Sequence, residues 1–118
     1  MTEPAPVTIY GLSNCDTCRA ARKALPDAVF RDLRRDPLST AERAVLLDRF
    51  GEELVNRASR TWRELPPEEQ ARDADALLAA HPALMKRPAI VAPEQRFLGW
   101  TTATRAALMA AGLLRAPE

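Results

Sequence analysis

Histidine and cysteine are scarce in this chain, which has one histidine and two cysteines among its 118 residues. A structural zinc site takes about four such ligands. His81 lies far along the sequence from Cys15 and Cys18, so we predict no metal site. The cysteine pair itself is then the main candidate for chemistry.

The chain also lacks an excess of charge of either sign and any long apolar run. Its formal net charge is +1, so a broad electrostatic attraction to nucleic acid or to an anionic membrane is not expected. No apolar run approaches the roughly 20 residues that cross a bilayer. The first residues have neither the basic nor the apolar region of a signal peptide. We therefore predict a cytoplasmic protein that contacts neither nucleic acid nor membrane directly.

What the chain does have is an ordinary globular composition. Hydrophobic residues make up 47% and charged residues 28% of the sequence, a balance that supports a compact core rather than disorder. A length of 118 residues suits one domain. We predict a single domain over residues 1–118.

The two cysteines are separated by two residues and stand where a strand pattern gives way to a helix pattern. The strand-like run covers residues 7–10, and the helical pattern covers residues 16–25. Free N–H groups and the dipole at a helix start stabilise a thiolate. Cys15 is nearer to those groups and is the predicted nucleophile, whereas Cys18 could close a disulfide with it and release a bound group. Two buried, inert thiols are the alternative.

The remaining patterns predict an α/β fold with a helical middle. A second strand is expected at residues 29–33, which completes a βαβ unit. The middle, residues 37–86, shows only helical signals. A capping box at Ser39 and Glu42 opens a helix that stops at Gly51, a short helical piece includes Leu54 and Val55, and a further helix extends from Pro66 to about Ala80.

Strand signals return in the last third of the chain. Residues 89–92 and 96–98 are predicted to form two strands joined by a tight turn. A final helix is expected to begin at a threonine cap, Thr101 or Thr102, and to extend to Ala111. Gly112 then stands in the usual stop position. The predicted order is βαβ, helical insertion, ββα.

Four segments of the chain resemble the arsenate reductase/Spx (ArsC-like) family, in the order in which that family carries them. They are residues 7–22, 54–65, 81–91 and 97–100, and the sharpest motifs are Asn14-Cys-Asp-Thr17 and Lys86-Arg-Pro88. The resemblance is nearest to the short subgroup of glutathione-dependent thiol reductase-like proteins. It implies a thioredoxin-like fold with a helical insertion between its two halves.

The resemblance also implies roles for individual residues. Cys15 is the attacking thiol, Pro88 is a cis-proline that faces it, and Arg87 helps to hold an anionic group. Asn14 belongs to the same motif as the nucleophile. Arg57 lies in a basic stretch that is either a solvated face or a recess for the carboxylates of glutathione.

The set of arginines is less complete than the arsenate-reductase pattern requires. Of three expected positions only Arg87 matches; Asn56 with Arg57 beside it, and Gly99 with Arg96 nearby, stand at the other two. Weak arsenate binding is therefore expected. We predict a thiol-dependent oxidoreductase linked to glutathione or glutaredoxin, with glutathione as co-substrate and no tightly bound cofactor. The alternatives are an Spx-like redox-sensing regulator that binds the α-subunit of RNA polymerase, and an arsenate reductase.

Overall fold

The computed structural model describes residues 7–114. Its contacts divide the chain into two units, of which the first comprises the residues up to Arg31 together with those from Arg87 onward. The second unit is Asp32–Lys86. The single-domain organisation stays a prediction, and each unit is described by itself.

The described residues form four strands and six helices, with two short 3₁₀ turns between them. In chain order they are β1 (Thr8–Gly11), α1 (Asp16–Ala24), β2 (Val29–Asp32), α2 (Thr40–Phe50), a 3₁₀ turn (Gly51–Leu54), α3 (Arg60–Arg63), α4 (Pro67–Gln70), α5 (Ala74–Ala80), a second 3₁₀ turn (Pro82–Leu84), β3 (Ala89–Val91), β4 (Arg96–Leu98) and α6 (Thr102–Ala110). This order confirms the predicted α/β class, with strands at both ends of the sequence and a helical middle. No helix among these residues has the length and apolar character needed to span a bilayer.

The first unit is built on a four-stranded sheet with the strand order β2-β1-β3-β4. β3 is antiparallel to both of its neighbours, and Ile90 pairs with Ile9 on one side and Phe97 on the other. Side chains alternate across a strand, so these three residues share one face of the sheet. Ile9 and Ile90 are fully buried there, against Ala21 of α1 and Leu108 of α6. Full burial of an aliphatic side chain contributes about 1.5–3 kcal/mol, and this cluster fixes both helices on the sheet.

The end of β1 lies unusually close to α1. A Cβ atom added to Gly11 would stand 2.4 Å from the Cys18 sulfur and 3.2 Å from the Cys18 Cβ. Carbon and sulfur cannot approach so closely without displacement, so a residue without a side chain is needed here. Gly11 thereby lets the first turn of α1 rest directly on the strand that precedes it.

The second unit is a set of short helices around an apolar centre. Its fully or almost fully buried side chains are Leu46, Leu54, Leu77, Leu84 and Met85. The predicted capping box of α2 is present, because Ser39 Oγ accepts from the Glu42 amide while Glu42 Oε1 accepts from the Ser39 amide. Each such pair satisfies two amides that the helix itself leaves without partners.

Two predictions in this unit were wrong in detail, and one helix was missed. The helix expected from Pro66 to Ala80 is two helices, α4 and α5, because Asp73 caps a new start by accepting from the Ala76 amide at 2.8 Å. The helix α3 was not predicted; Ser59 caps it by accepting from the Trp62 amide. Val55 is not helical but forms an isolated antiparallel bridge with Met85.

Candidate active site

Cys15 occupies the N-cap position of α1. Its backbone is extended, with φ −100° and ψ 125°, while its carbonyl already accepts from the Arg19 amide at 2.9 Å. The preceding turn is closed by the Cys15 amide, which donates to the Leu12 carbonyl at 3.2 Å. The thiol is partly exposed. The sequence thus places one reachable sulfur at the start of a helix, as predicted.

Thr17 links this sulfur to the loop before β3. Thr17 Oγ1 lies 3.2 Å from Cys15 Sγ, and the same hydroxyl donates to the Arg87 carbonyl at 3.4 Å. Sequence reasoning did not assign Thr17 to the site. The available signal was its position two residues after the N-cap, from which a short hydroxyl side chain can turn back to the cap.

The peptide bond between Arg87 and Pro88 is cis, which confirms the cis-proline that the family resemblance implied. Pro88 is buried, and its carbonyl accepts from the Gly99 amide at 2.8 Å. Gly99 has φ 81°, a conformation that favours glycine. The loop that carries Arg87 is therefore tied to the sheet on one side and to Thr17 on the other.

Opposing influences act on the pKa of Cys15, and the net result lowers it. Partial burial of the thiol is the one influence that raises this pKa. Against it act the hydrogen bond with the Thr17 hydroxyl, the amide and thiol of Cys18, and the positive charge of Arg87. A lowered pKa enlarges the thiolate fraction at neutral pH, and the thiolate is the nucleophilic form.

Cys18, one turn along α1, has the opposite character. Its side chain is fully buried. Burial, together with the hydrogen bond to Cys15 and the negative charge on that residue, raises the pKa of Cys18 to about 12, although the Leu12 amide and Arg87 act in the other direction. Cys18 is therefore a neutral thiol while Cys15 is ionised, and it can donate its proton to the Cys15 sulfur.

Other charges near α1 are solvated. Arg19 pairs with Asp16, and both side chains are well exposed. Arg87 is half-buried in the loop before β3, and its positive charge acts to lower the pKa of both cysteines. Arg87 thus has the place expected for a group that holds an anion beside the nucleophile, although that role stays a prediction.

The two remaining predicted site residues are placed as follows. Asn14 is exposed in the turn immediately before Cys15. Arg57 belongs to the second unit, where it pairs with Glu52 at 2.7 Å and lies over the Trp62 ring at 5.1 Å from the ring centre. Asn56, beside it, uses its side-chain oxygen to accept from the Ala58 amide. The part of Asn14 and Arg57 in substrate binding stays a prediction.

The arrangement suits thiol–disulfide exchange. A reactive thiolate at a helix start, a buried neutral thiol one turn on, and a cation beside both are the groups that such exchange uses. Within residues 7–114, no group of three or more His, Cys, Asp or Glu side chains is placed to hold a metal ion.

Comparison with known proteins gives a consistent picture. The model of the ArsC family matches residues 10–108. An uncharacterized protein of Haemophilus influenzae is 35% identical over 105 aligned residues, which cover 80% of this chain and 90% of the relative.

Solved structures agree with this match. A protein described as YffB superposes with a TM-score of 0.76 at 25% identity, covering 86% of this chain and 96% of its own. The solution structure of an arsenate reductase (ArsC) related protein from Brucella melitensis has a TM-score of 0.69 at 31% identity, covering 92% and 98%. These likenesses confirm the thioredoxin-like fold.

Proposed function

Because this chain belongs to the ArsC family, we propose that it is a thiol-dependent oxidoreductase that uses Cys15 as its nucleophile and glutathione as its co-substrate. The single observation that supports this most strongly is the contrast between two thiols one helical turn apart. Cys15 is partly exposed with a lowered pKa, and Cys18 is buried with a raised pKa. This contrast supports attack by the Cys15 sulfur and resolution by the Cys18 sulfur.

In the first step the Cys15 thiolate attacks one sulfur of a substrate disulfide. A new disulfide forms between Cys15 and that sulfur, the original S–S bond breaks, and the second sulfur leaves as a thiolate that takes a proton from water. Arg87, whose charge acts on Cys15, would hold an anionic group of the substrate, and glutathione offers two carboxylates for it. A guanidinium suits this because it stays charged and can bind two oxygens.

In the second step Cys18 attacks the Cys15 sulfur. Cys18 loses its proton to water, a Cys15–Cys18 disulfide forms, and the substrate thiolate leaves. The negative charge of Cys15, one of the causes that raise the pKa of Cys18, is gone once Cys15 is in a mixed disulfide. The Leu12 amide and Arg87 still favour the Cys18 thiolate, so the pKa of Cys18 is expected to fall in the mixed disulfide. Two glutathione thiols, or a reduced glutaredoxin, would return the two electrons and restore both thiols.

Mass spectrometry after treatment with glutathione disulfide tests this proposal. The wild-type protein should lose two hydrogens and form the internal disulfide. Cys18→Ser should instead accumulate one glutathione on Cys15, and Cys15→Ser should remain unmodified because its remaining thiol is buried. A glutathione adduct on Cys18 in the Cys15→Ser variant, or an unreactive wild-type protein, would overturn the proposal.

Arsenate reduction is a second candidate, favoured by the likeness to the arsenate reductase related protein of Brucella melitensis. In this reaction Cys15 would attack arsenate, with glutaredoxin as electron donor. The test is arsenate-dependent oxidation of glutathione in the presence of glutaredoxin. No dependence on arsenate at saturating glutathione would remove this candidate. The Spx-like regulator stays an alternative prediction, which binding to the α-subunit of RNA polymerase would test.

A further inference from the structure

The Thr17 hydroxyl has one proton and two neighbours that can accept it. One is the Arg87 carbonyl at 3.4 Å, and the other is Cys15 Sγ at 3.2 Å. A hydroxyl carries a single donor and can also accept. While Cys15 is a thiol, its S–H can donate to Thr17 Oγ1, and the Thr17 proton can point at the carbonyl. Both contacts are then satisfied at once.

This arrangement cannot persist when Cys15 ionises. A thiolate has no proton to donate and is a stronger acceptor than a neutral carbonyl, because hydrogen bonds to ionised groups are roughly twice as strong as those between neutral groups. The bond to the Arg87 carbonyl is long at 3.4 Å, so little holds the proton there. Rotation of the hydroxyl about the side-chain bond brings the proton to the sulfur without moving the backbone.

We propose that Thr17 is a positioning residue whose hydroxyl turns from the Arg87 carbonyl to the Cys15 sulfur when Cys15 ionises. This rests on the proposed function, since it requires Cys15 to work as a thiolate. The consequence is a coupling between the nucleophile and the loop that carries Arg87 and the cis-proline. In the thiolate state the Arg87 carbonyl loses a donor and gains capacity for an amide N–H of a peptide-like substrate such as glutathione.

The other charged and titratable groups around the sulfur do not offer this coupling. Cys18 on α1 can donate to Cys15 but makes no contact with the loop carbonyl among the hydrogen bonds of the described residues. Asp16 and Arg19, on the same helix, pair with each other in solvent. Arg87 acts on Cys15 through its charge. Thr17, by contrast, touches both the sulfur and the loop backbone.

The first test compares Thr17→Val with Thr17→Ser. Valine keeps the branched shape and removes the hydroxyl, whereas serine keeps the hydroxyl. The alkylation rate of Cys15 is measured against pH, with cleavage before Asp16 to separate the two cysteines into different peptides. We expect Thr17→Val to alkylate about tenfold more slowly at neutral pH and to titrate at a higher pH, because one hydrogen bond to an ionised group is lost. Thr17→Ser should follow the wild type.

The second test measures the coupling itself. The carbonyl ¹³C resonance of Arg87, correlated through its own amide because residue 88 is proline, is followed through the titration of Cys15. In the wild type and in Thr17→Ser it should shift with the Cys15 midpoint. Thr17→Val contains the same thiolate without the hydroxyl, so it measures the direct effect of the charge alone, and a smaller shift is expected there.

The two proposals fail in different ways. If wild-type Cys15 titrates at or above the ordinary thiol range, the proposed function fails. If wild-type Cys15 titrates low but Thr17→Val leaves its titration unchanged, the function stands and the role of Thr17 is overturned. An equal carbonyl shift in the wild type and in Thr17→Val overturns the coupling. If the valine variant folds poorly, Thr17→Ala serves as the comparison, and a shift equal to that of the wild type overturns the coupling there as well.

Discussion

Different kinds of interaction stabilise the interior of each of the two units. In the first, strands far apart in sequence pair with each other: Ile9 faces Ile90, and both are fully buried with Leu108. The second unit relies on short helices, three of which begin at a side-chain cap, at Ser39, Ser59 and Asp73.

The difference explains why the predicted chemistry lies in the first unit. A reactive sulfur needs neighbours fixed to within a fraction of an ångström. Strand pairing and the contact between Gly11 and Cys18 fix the start of α1 against β1, and the bond from Thr17 reaches a carbonyl 70 positions away. Caps and short helices fix their own backbone but not a distant partner. Four predictions test this comparison, in order of decreasing expected effect.

The largest expected effect is the difference in reactivity between the two cysteines of the first unit. At pH 7 iodoacetamide should alkylate Cys15 at least about a thousandfold faster than Cys18, because Cys18 is buried and its pKa is raised to about 12 while that of Cys15 is lowered. The rate at Cys15 should rise with pH and level off once the thiolate predominates. Peptide mass spectrometry with and without denaturant measures both rates. Equal rates in the folded protein would contradict the described site.

A second prediction asks whether the two units unfold together. Ile90 in the first unit and Leu77 in the second are both fully buried, so truncating either one to alanine should cost about 2–5 kcal/mol in the free energy of unfolding. A single domain predicts that each variant lowers the midpoint of one shared urea transition.

The two tryptophans provide a probe for each unit. Trp100 packs against the core of the first unit, and Trp62 lies in α3 of the second. Trp62→Phe leaves fluorescence from the first unit, and Trp100→Phe leaves fluorescence from the second. Coincident transitions support one cooperative domain. Two midpoints, with Leu77→Ala moving the Trp62 signal alone, would show that the single-domain prediction is wrong.

The sequence predicts the first unit better than the second, for a physical reason. The strands, α1 and α6 were expected within one or two residues, because apolar alternation and helical spacing mark elements that bury one face. The family resemblance supplied the cis bond before Pro88. In the second unit the break between α4 and α5 depends on one bond from the Ala76 amide to Asp73. Several polar residues there could have capped a helix equally well.

Part of the candidate site could not be predicted from the sequence. Cys15 and Cys18 carry an obvious motif, but three-dimensional packing decides their opposite pKa shifts. Burial dominates at Cys18, whereas at Cys15 the effect of burial is outweighed by hydrogen bonds with Thr17 and Cys18 and by the charge of Arg87. Thr17 was part of the quoted motif without a role. Its contact with the Arg87 carbonyl joins distant segments, and no local spacing rule contains that information.

A third prediction concerns the close contact in the first unit. Gly11→Ala would place a Cβ 2.4 Å from the Cys18 sulfur, and overpacking of this kind costs about 1–3 kcal/mol. The double variant Gly11→Ala/Cys18→Ala removes that sulfur and should recover most of the loss relative to Cys18→Ala alone. The Cys18 Cβ, at 3.2 Å, keeps the recovery incomplete. Urea unfolding of the four proteins measures the coupling, and strictly additive effects would contradict the contact.

The smallest effect is expected where the stabilising interaction is local. Ser39→Ala removes the hydroxyl that accepts from the Glu42 amide at 3.1 Å, and should cost about 1 kcal/mol, while Ser39→Gly should cost only a few tenths. Thr101→Ala is the matched variant in the first unit, where Thr101 Oγ1 accepts from the Thr104 amide at 3.0 Å. Because caps act within one turn, neither variant should change the alkylation rate of Cys15. A slower rate in Ser39→Ala would show that the second unit helps to position the nucleophile, and the contrast between the two units would then apply to stability alone.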